Sequence, residues 1–184
     1  MSERTADIAV IGGGIIGLSC AYELARQSHL RVVVFDKNNP ASGTTGGSAG
    51  VICLHDLGAI YAQLTLLGHA RVLELVRDHG LAYHPWGTLF VNYGEGRFPA
   101  EADAYHHRFG TQPDSLYQRE FLSPEETRKR FPWIRRENLR GATLYPNQGF
   151  LDPYELVTLY ENLATATGRV TVCRNTPVLQ IRTE

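Results

Sequence analysis

Residues 8–20 read IAVIGGGIIGLSC. Four apolar residues, Ile8, Ala9, Val10 and Ile11, run straight into Gly12, Gly13 and Gly14, and Gly17 follows. A short apolar run that stops at glycine is the pattern of a buried parallel strand ending in a tight turn. Beyond the glycines, Leu18, Ala21, Tyr22 and Ala25 recur at helical spacing. Residues 31–35, RVVVF, form a second β-branched strand. Residues 7–36 therefore predict one βαβ unit.

Within that unit Gly12, Gly14 and Gly17 fit G-x-G-x-x-G, and Asp36 ends the second strand 19 residues past Gly17. The pattern alone is weak, and a ligand-free turn also satisfies it. Its place after a strand, at the opening of a helix and ahead of an acidic residue, points to a dinucleotide. Gly12 permits the sharp turn, Gly14 leaves the backbone open to a pyrophosphate, and Gly17 lets helix and strand pack closely. Ile15 and Ile16 open the helix with Gly17, where free N–H groups and a partial positive charge favour phosphate. Asp36 is placed to accept from ribose hydroxyls and to repel a 2′-phosphate, which disfavours NADP.

Further along, residues 38–50 are rich in Gly, Ser, Thr and Asn and cannot pack a core. A helix is expected over Ala59–His79, stopped by Gly80. GTLFVNY (87–93) reads as a strand, Pro99–Phe109 as a short helix and SLYQRE (115–120) as a strand. SPEE at Ser123 and DPYE at Asp152 each carry a cap residue, a proline and a glutamate three positions on, the signature of a helix start. VTVC (170–173) and PVLQIR (177–182) read as strands joined by a turn at Asn175–Pro177. An ending directly after a strand suggests a chain that stops in mid-domain.

The bulk properties exclude several classes. A net charge of −1 argues against a nucleic-acid surface, and no nucleic-acid partner is expected. The one basic excess, at Arg128, Lys129, Arg130, Arg135, Arg136 and Arg140, reads as a solvated helix face and loop, with contact to a partner or membrane as the alternative. Cys20, Cys53 and Cys173 are too far apart in sequence for a metal knuckle, and no metal site is expected. No apolar run reaches the roughly 18 residues of a membrane span. The expected location is cytoplasmic, with peripheral contact to the inner membrane as the alternative.

DIAVIGGGIIGLSCAYELARQ, FDK and then ASGTTGGSAGVI together resemble the FAD-dependent oxidoreductases of the D-amino-acid oxidase family, which includes glycine oxidase, sarcosine oxidase and D-amino-acid dehydrogenase. WGTLFV, FLSPEETRKRFPWI, GATLYPNQGFLDPYELVTLYENLA and NTPVLQI extend the likeness over essentially the whole chain. The resemblance implies an α/β fold. A Rossmann-like FAD-binding βαβ domain would carry an inserted α+β substrate-domain portion, in an incomplete chain. Its expected limits are 1–84 for the first FAD-binding part, 85–146 for the substrate-domain portion and 147–184 for the return.

The same resemblance assigns cofactor roles. Gly43, Thr44 and Thr45 would follow the pyrophosphate and ribityl chain; Ser48, Ala49, Gly50 and Val51 would lie beside the isoalloxazine. Asp36 stands where the family usually has glutamate, one methylene longer, and Lys37 follows near the adenosine. Val178 would meet the adenine side through its backbone, although an ordinary strand valine is almost as good a reading. Gly47 and Ser48 occupy positions where a linking histidine would be expected in relatives with covalent flavin, so FAD is expected to be non-covalent. Trp86 and Tyr93 are either cavity-lining or packing aromatics.

The implied reaction is hydride transfer from a carbon bearing nitrogen to flavin N5, with an amino acid or amine as substrate and oxygen or a quinone as acceptor. A hydroxy-acid or glycerol-3-phosphate type dehydrogenase is the alternative, disfavoured because GVICLHD lacks the histidine pattern usual after the loop. A non-catalytic dinucleotide-binding fragment, or a subunit of a split enzyme with a partner supplying the C-terminal half, is a third reading. No catalytic residue is identified, and the chain alone is expected to be inactive.

Overall fold

A computed structural model of the chain describes residues 5–53, 59–94 and 115–182, with only the backbone of 59–62. Among these residues the elements are β1 (Ile8–Ile11), α1 (Ile15–Gln27), β2 (Val32–Phe35), β3 (Val51–Ile52), α2 (Ala59–His79), β4 (Thr88–Asn92), β5 (Glu120–Leu122), α3 (Pro124–Arg130), β6 (Gly141–Tyr145), β7 (Gly149–Phe150), α4 (Pro153–Ala166) and β8 (Val170–Cys173). The expected helix at Pro99–Phe109 lies outside the described residues. Two compact units emerge, one joining the chain up to Gly50 with the chain from Leu151 on, the other spanning Val51–Phe150. The limits read from the sequence stand at 84/85 and 146/147, so the two divisions differ over residues 51–84 and 147–150.

In the first unit β2 is the central strand, parallel to β1 and to β8. Val34 lies opposite Val10 on one side and Val172 on the other. The period-two alternation of a strand sends Val32 and Val34 to one face, where they are buried. Leu18, Ala21 and Ala25 of α1 and Val157 and Ala164 of α4 are buried as well. The two helices pack on each other, and Tyr22 meets Tyr160 edge-on at 6.0 Å. Asp152 caps α4 by accepting from Tyr154 N at 2.7 Å, Pro153 takes the first turn, and Gly168 at φ +69 ends the segment.

The second unit carries an antiparallel sheet in the order β4-β6-β5, with Thr143 opposite both Phe90 and Phe121. GTLFVNY thus pairs with ATLYP, and β5 extends the sheet. Ser123 and Glu126 form the reciprocal capping box of α3: Glu126 N donates to Ser123 Oγ at 3.2 Å and Ser123 N donates to Glu126 Oε2 at 2.8 Å. The same bonds hold the Glu126 carboxyl below its ordinary pKa. β3 and β7 make a short antiparallel pair, Val51 opposite Phe150.

Two sequence expectations fail. SLYQRE is a turn for most of its length, closed by Gln118 N donating to Ser115 O at 3.0 Å, and the strand begins only at Glu120. PVLQIR forms no ladder among the described residues; Leu179 and Ile181 are 91% and 72% exposed. Its β-branched composition expresses a preference for a half-buried sheet surface, which needs a neighbouring strand to act on.

Candidate functional site

The first Gly-rich turn is shaped by two distinct steric demands. Gly12 adopts φ +109, a conformation closed to side-chain-bearing residues, and its N–H donates to Phe35 O at 2.8 Å. Gly17 has ordinary helical geometry, but a Cβ there would overlap the Gly12 carbonyl oxygen and stand 3.2 Å from Val10 Cγ1. The first glycine makes the turn, and the last lets α1 settle onto β1. Gly14 is the N-cap of α1 and supplies no side-chain cap; no acidic side chain occupies the first turn. The positive pole of the helix is therefore not neutralised by its own sequence.

Asp36 reaches this turn from the end of β2. Its Oδ2 accepts from Gly13 N at 2.7 Å and its Oδ1 accepts from Asn38 N at 2.8 Å. One carboxylate thus ties the first glycine turn to the start of the second loop. Each oxygen keeps a further lone pair, so acceptance from a sugar hydroxyl is still available.

The second Gly-rich loop is an ordered run of tight turns against α1. Gly46 N donates to Ala41 O at 2.9 Å, Gly47 N to Gly43 O at 3.2 Å and Ser48 N to Thr45 O at 3.1 Å. Ala41 N donates to Gly13 O at 3.1 Å, and Thr45 Oγ1 accepts from Ile15 N at 3.2 Å. The Thr45 hydroxyl lies over the α1 N-terminus, where a Cβ on Gly14 would stand 2.8 Å from it. The absence of a side chain at Gly14 therefore makes room for the second loop as well. Tyr154, from the first turn of α4, backs this loop: a Cβ on Gly46 would lie 2.5 Å from its hydroxyl. Gly50, at φ +63, passes the Leu151 carbonyl too closely for a side chain.

A cleft of about 260 Å³ opens beside these loops. Five of the sequence-predicted residues line it: Gly12, Asp36, Lys37, Gly43 and Val178. Sequence reasoning missed Ser42, Thr176 and Pro177 on the same wall. Thr176 N donates to Asp36 O at 2.7 Å and Asn175 N donates to Asn38 O at 3.0 Å, which draws the segment after β8 to the rim. The signal for these residues was their adjacency to Val178 in NTPVLQI. Tyr154 was legible only as part of a helix start.

The remaining predicted residues stand elsewhere. Ile15 and Thr45 meet at the helix terminus, while Ile16 is exposed. Thr44 and Ala49 are exposed, and the Ser48 hydroxyl donates to Thr45 O at 2.8 Å. Val51 is an exposed residue of β3 in the second unit. In that unit Trp86 is exposed and meets Phe150 edge-on at 4.7 Å, and Arg135 lies over the Tyr93 ring at 4.8 Å. Burial raises the Cys53 thiol above its ordinary pKa. Burial also pushes the Tyr83 phenol up to about 12. No group of three His, Cys, Asp or Glu suited to a metal occurs among the described residues.

The residues present fit an adenine dinucleotide. The glycine turn carries no side chains, the first turn of α1 carries no acid, the Asp36 carboxylate sits at the strand end, and a cleft lies beside it. Comparison with known proteins agrees. The family model described as FAD dependent oxidoreductase (DAO) matches residues 7–184. The chain is 31% identical to mitochondrial sarcosine dehydrogenase of Homo sapiens over 184 residues, 97% of this chain and 19% of that protein. It is 52% identical to D-amino acid dehydrogenase of Helicobacter pylori over 118 residues, 60% of this chain and 28% of that protein. Glycine oxidase from Bacillus cereus superposes with a TM-score of 0.76 at 24% identity, over 98% of this chain and 49% of that one. The chain thus spans about half of that solved structure and about a fifth of the human relative. With the paired loops and the match over residues 7–184, the chain belongs to the FAD-dependent oxidoreductase family and takes FAD as its cofactor.

Proposed function

We propose that this chain forms the adenosine- and pyrophosphate-binding part of an oxidoreductase that oxidises the C–N bond of an amino acid or amine. The observation that carries the reading is the meeting of Asp36 and Thr45 on either side of the α1 N-terminus. Bound FAD supplies a hydride-accepting centre, N5, for two-electron oxidation of a carbon bearing nitrogen. Asp36 accepts from the ribose hydroxyls. Lys37 and the Val178 backbone flank the adenosine, and Gly12 and Gly14 present a backbone clear of side chains to the pyrophosphate at the α1 N-terminus, beside Ile15, whose N–H is held by Thr45 Oγ1. Gly43, Thr44 and Thr45 carry the contact on toward the ribityl chain, and Ser48, Ala49, Gly50 and Val51 toward the ring.

Two features favour non-covalent flavin. Neither Gly47 nor Ser48 can form a histidyl link, and burial raises the Cys53 thiol above its ordinary pKa, which disfavours the reactive thiolate. The amine preference draws support from relatives whose names specify sarcosine and D-amino acids.

The test is anaerobic bleaching of flavin absorbance in the flavin-loaded protein from its natural host. The panel contains amino acids, N-methyl amino acids, 2-hydroxy acids and glycerol 3-phosphate. Bleaching by an amino acid or N-methyl amino acid is expected; bleaching by the hydroxy compounds alone contradicts the amine assignment.

A further inference from the structure

Residues 128–140, RKRFPWIRRENLR, hold six cations and one carboxylate in a chain whose net charge is −1. This concentration is used by nothing in the dinucleotide site. Arg128, Lys129, Arg130, Arg135, Arg136 and Arg140 are all exposed. Among the described residues only Arg130 of the six has a carboxylate partner, Glu120 at 2.7 Å. The local charge is therefore largely uncompensated.

The geometry adds an apolar tip. Phe131 N donates to Thr127 O at 2.9 Å, carrying the chain off α3, and Ile134 N donates to Phe131 O at 3.1 Å. This closes a four-residue turn with Trp133 in its third position. Trp133 is 77% exposed, and Phe131 steadies it edge-on at 5.5 Å. Arg135 is held over the Tyr93 ring, and Arg128 Nη2 donates to Arg136 O at 3.5 Å, which ties the two basic arms together. An indole thus projects from a braced turn between two sets of exposed cations.

We propose that this turn is a peripheral docking surface for an anionic lipid bilayer. The Trp133 indole sits at headgroup level and the flanking cations lie on lipid phosphates. Indole rings prefer that interface, where one edge is wet and the rest apolar. Basic residues beside it are drawn by the surface charge of anionic lipid. The remainder of the chain is net negative, which opposes an extended polyanion such as duplex nucleic acid but not a small footprint on a membrane. Among the described residues no helix is long and apolar enough to cross a membrane, so the contact is one of lying on the surface.

The test is cosedimentation of the full chain with phosphatidylcholine vesicles made with and without phosphatidylglycerol. A Trp86→Phe background leaves Trp133 as the single tryptophan, read by excitation at the red edge of the indole band where tyrosine does not absorb, since the chain has two tryptophans. Binding only to phosphatidylglycerol vesicles is expected, with a blue shift of Trp133 emission. Lys129→Gln with Arg136→Gln should weaken binding about thirtyfold, at about fivefold per cation. Trp133→Ala should weaken it by about tenfold or more. Arg136→Lys keeps the charge and should retain binding, which separates loss of charge from loss of fold. Equal binding to both vesicle types, an unshifted emission, or full binding by the double glutamine variant would each overturn the proposal. So would tighter binding to duplex DNA or to polyglutamate than to the vesicles at the same salt.

Discussion

Gly17→Ala separates the effect of helix propensity from that of tertiary packing. Gly17 lies in the first turn of α1, where alanine gains up to about 1 kcal/mol in intrinsic propensity. The added Cβ, however, would overlap the Gly12 carbonyl oxygen, a backbone atom held by the turn. Relief requires α1 to lift away from β1. Overpacking of this kind costs about 1–3 kcal/mol and occasionally more. Lifting the helix also uncovers part of Leu18, which is fully buried and whose complete exposure would cost about 1.5–3 kcal/mol. Set against the propensity gain, the substitution should destabilise the first unit by about 2–3 kcal/mol. Gly68→Ala in α2 is the matched control: its Cβ meets nothing within 4 Å, and it should stabilise the second unit by about 0.5–1 kcal/mol. Urea denaturation followed by circular dichroism reads both. Equal stabilisation by the two substitutions would refute the steric assignment of Gly17.

Other substitutions reach further parts of the account. Asp152→Ala removes the cap that accepts from Tyr154 N and should cost about 1 kcal/mol in the same denaturation assay. Gly46→Ala should displace Tyr154 from the second loop, read as loss of hydrogen-exchange protection at Ile15 and Gly46; unchanged protection would show that the loop tolerates the side chain. Tyr83 donates to Asn147 O at 2.8 Å, and its folded pKa of about 12 lies above an ordinary value of 10. A raised folded pKa gives stability that is complete below pH 10 and is lost as pH rises toward 12. Absorbance at the tyrosinate band should therefore show one late-titrating tyrosine that disappears in Tyr83→Phe; its persistence would reassign the group.

The βαβ unit was legible because three independent signals coincide within residues 7–36: an apolar run, a helical stripe and a β-branched run, with glycine at the joints. The starts of α3 and α4 were legible because caps are local chemistry, written within four residues. What stayed hidden depends on distant partners. Nothing near Thr45 in the sequence announces that its hydroxyl will accept from Ile15 N, or that Tyr154 will back Gly46. Asp36 was read as a ribose ligand, whereas its carboxylate also binds Gly13 N and Asn38 N and so holds the two loops together. PVLQIR shows the limit of propensity: its composition asks for a sheet, and no strand lies beside it among the described residues.

These bonds bear on the cofactor as well as on the fold. A glutamate at position 36 would carry its oxygens one methylene further and could not keep both backbone bonds in the same geometry. In the proposed reading the shorter side chain couples loop order to ribose binding, so loss of Asp36 should weaken FAD and loosen the loops together. A hydrogen bond from a ribose hydroxyl to a charged acceptor contributes about 1.5–3 kcal/mol, so Asp36→Ala should lower FAD affinity by at least about tenfold.

The most direct measurement is a fluorescence-quench titration of FAD and of FMN with the folded chain, followed by acid precipitation. FMN carries the same ring and ribityl phosphate but lacks the adenosine half that Asp36, Lys37 and Val178 are assigned to hold. Saturable quenching of FAD, its release into the acid supernatant, and failure of FMN to compete are the predicted results. Equal binding of FMN and FAD, or no quenching of FAD by a natively folded chain, would contradict the assignment of this site to the adenine dinucleotide.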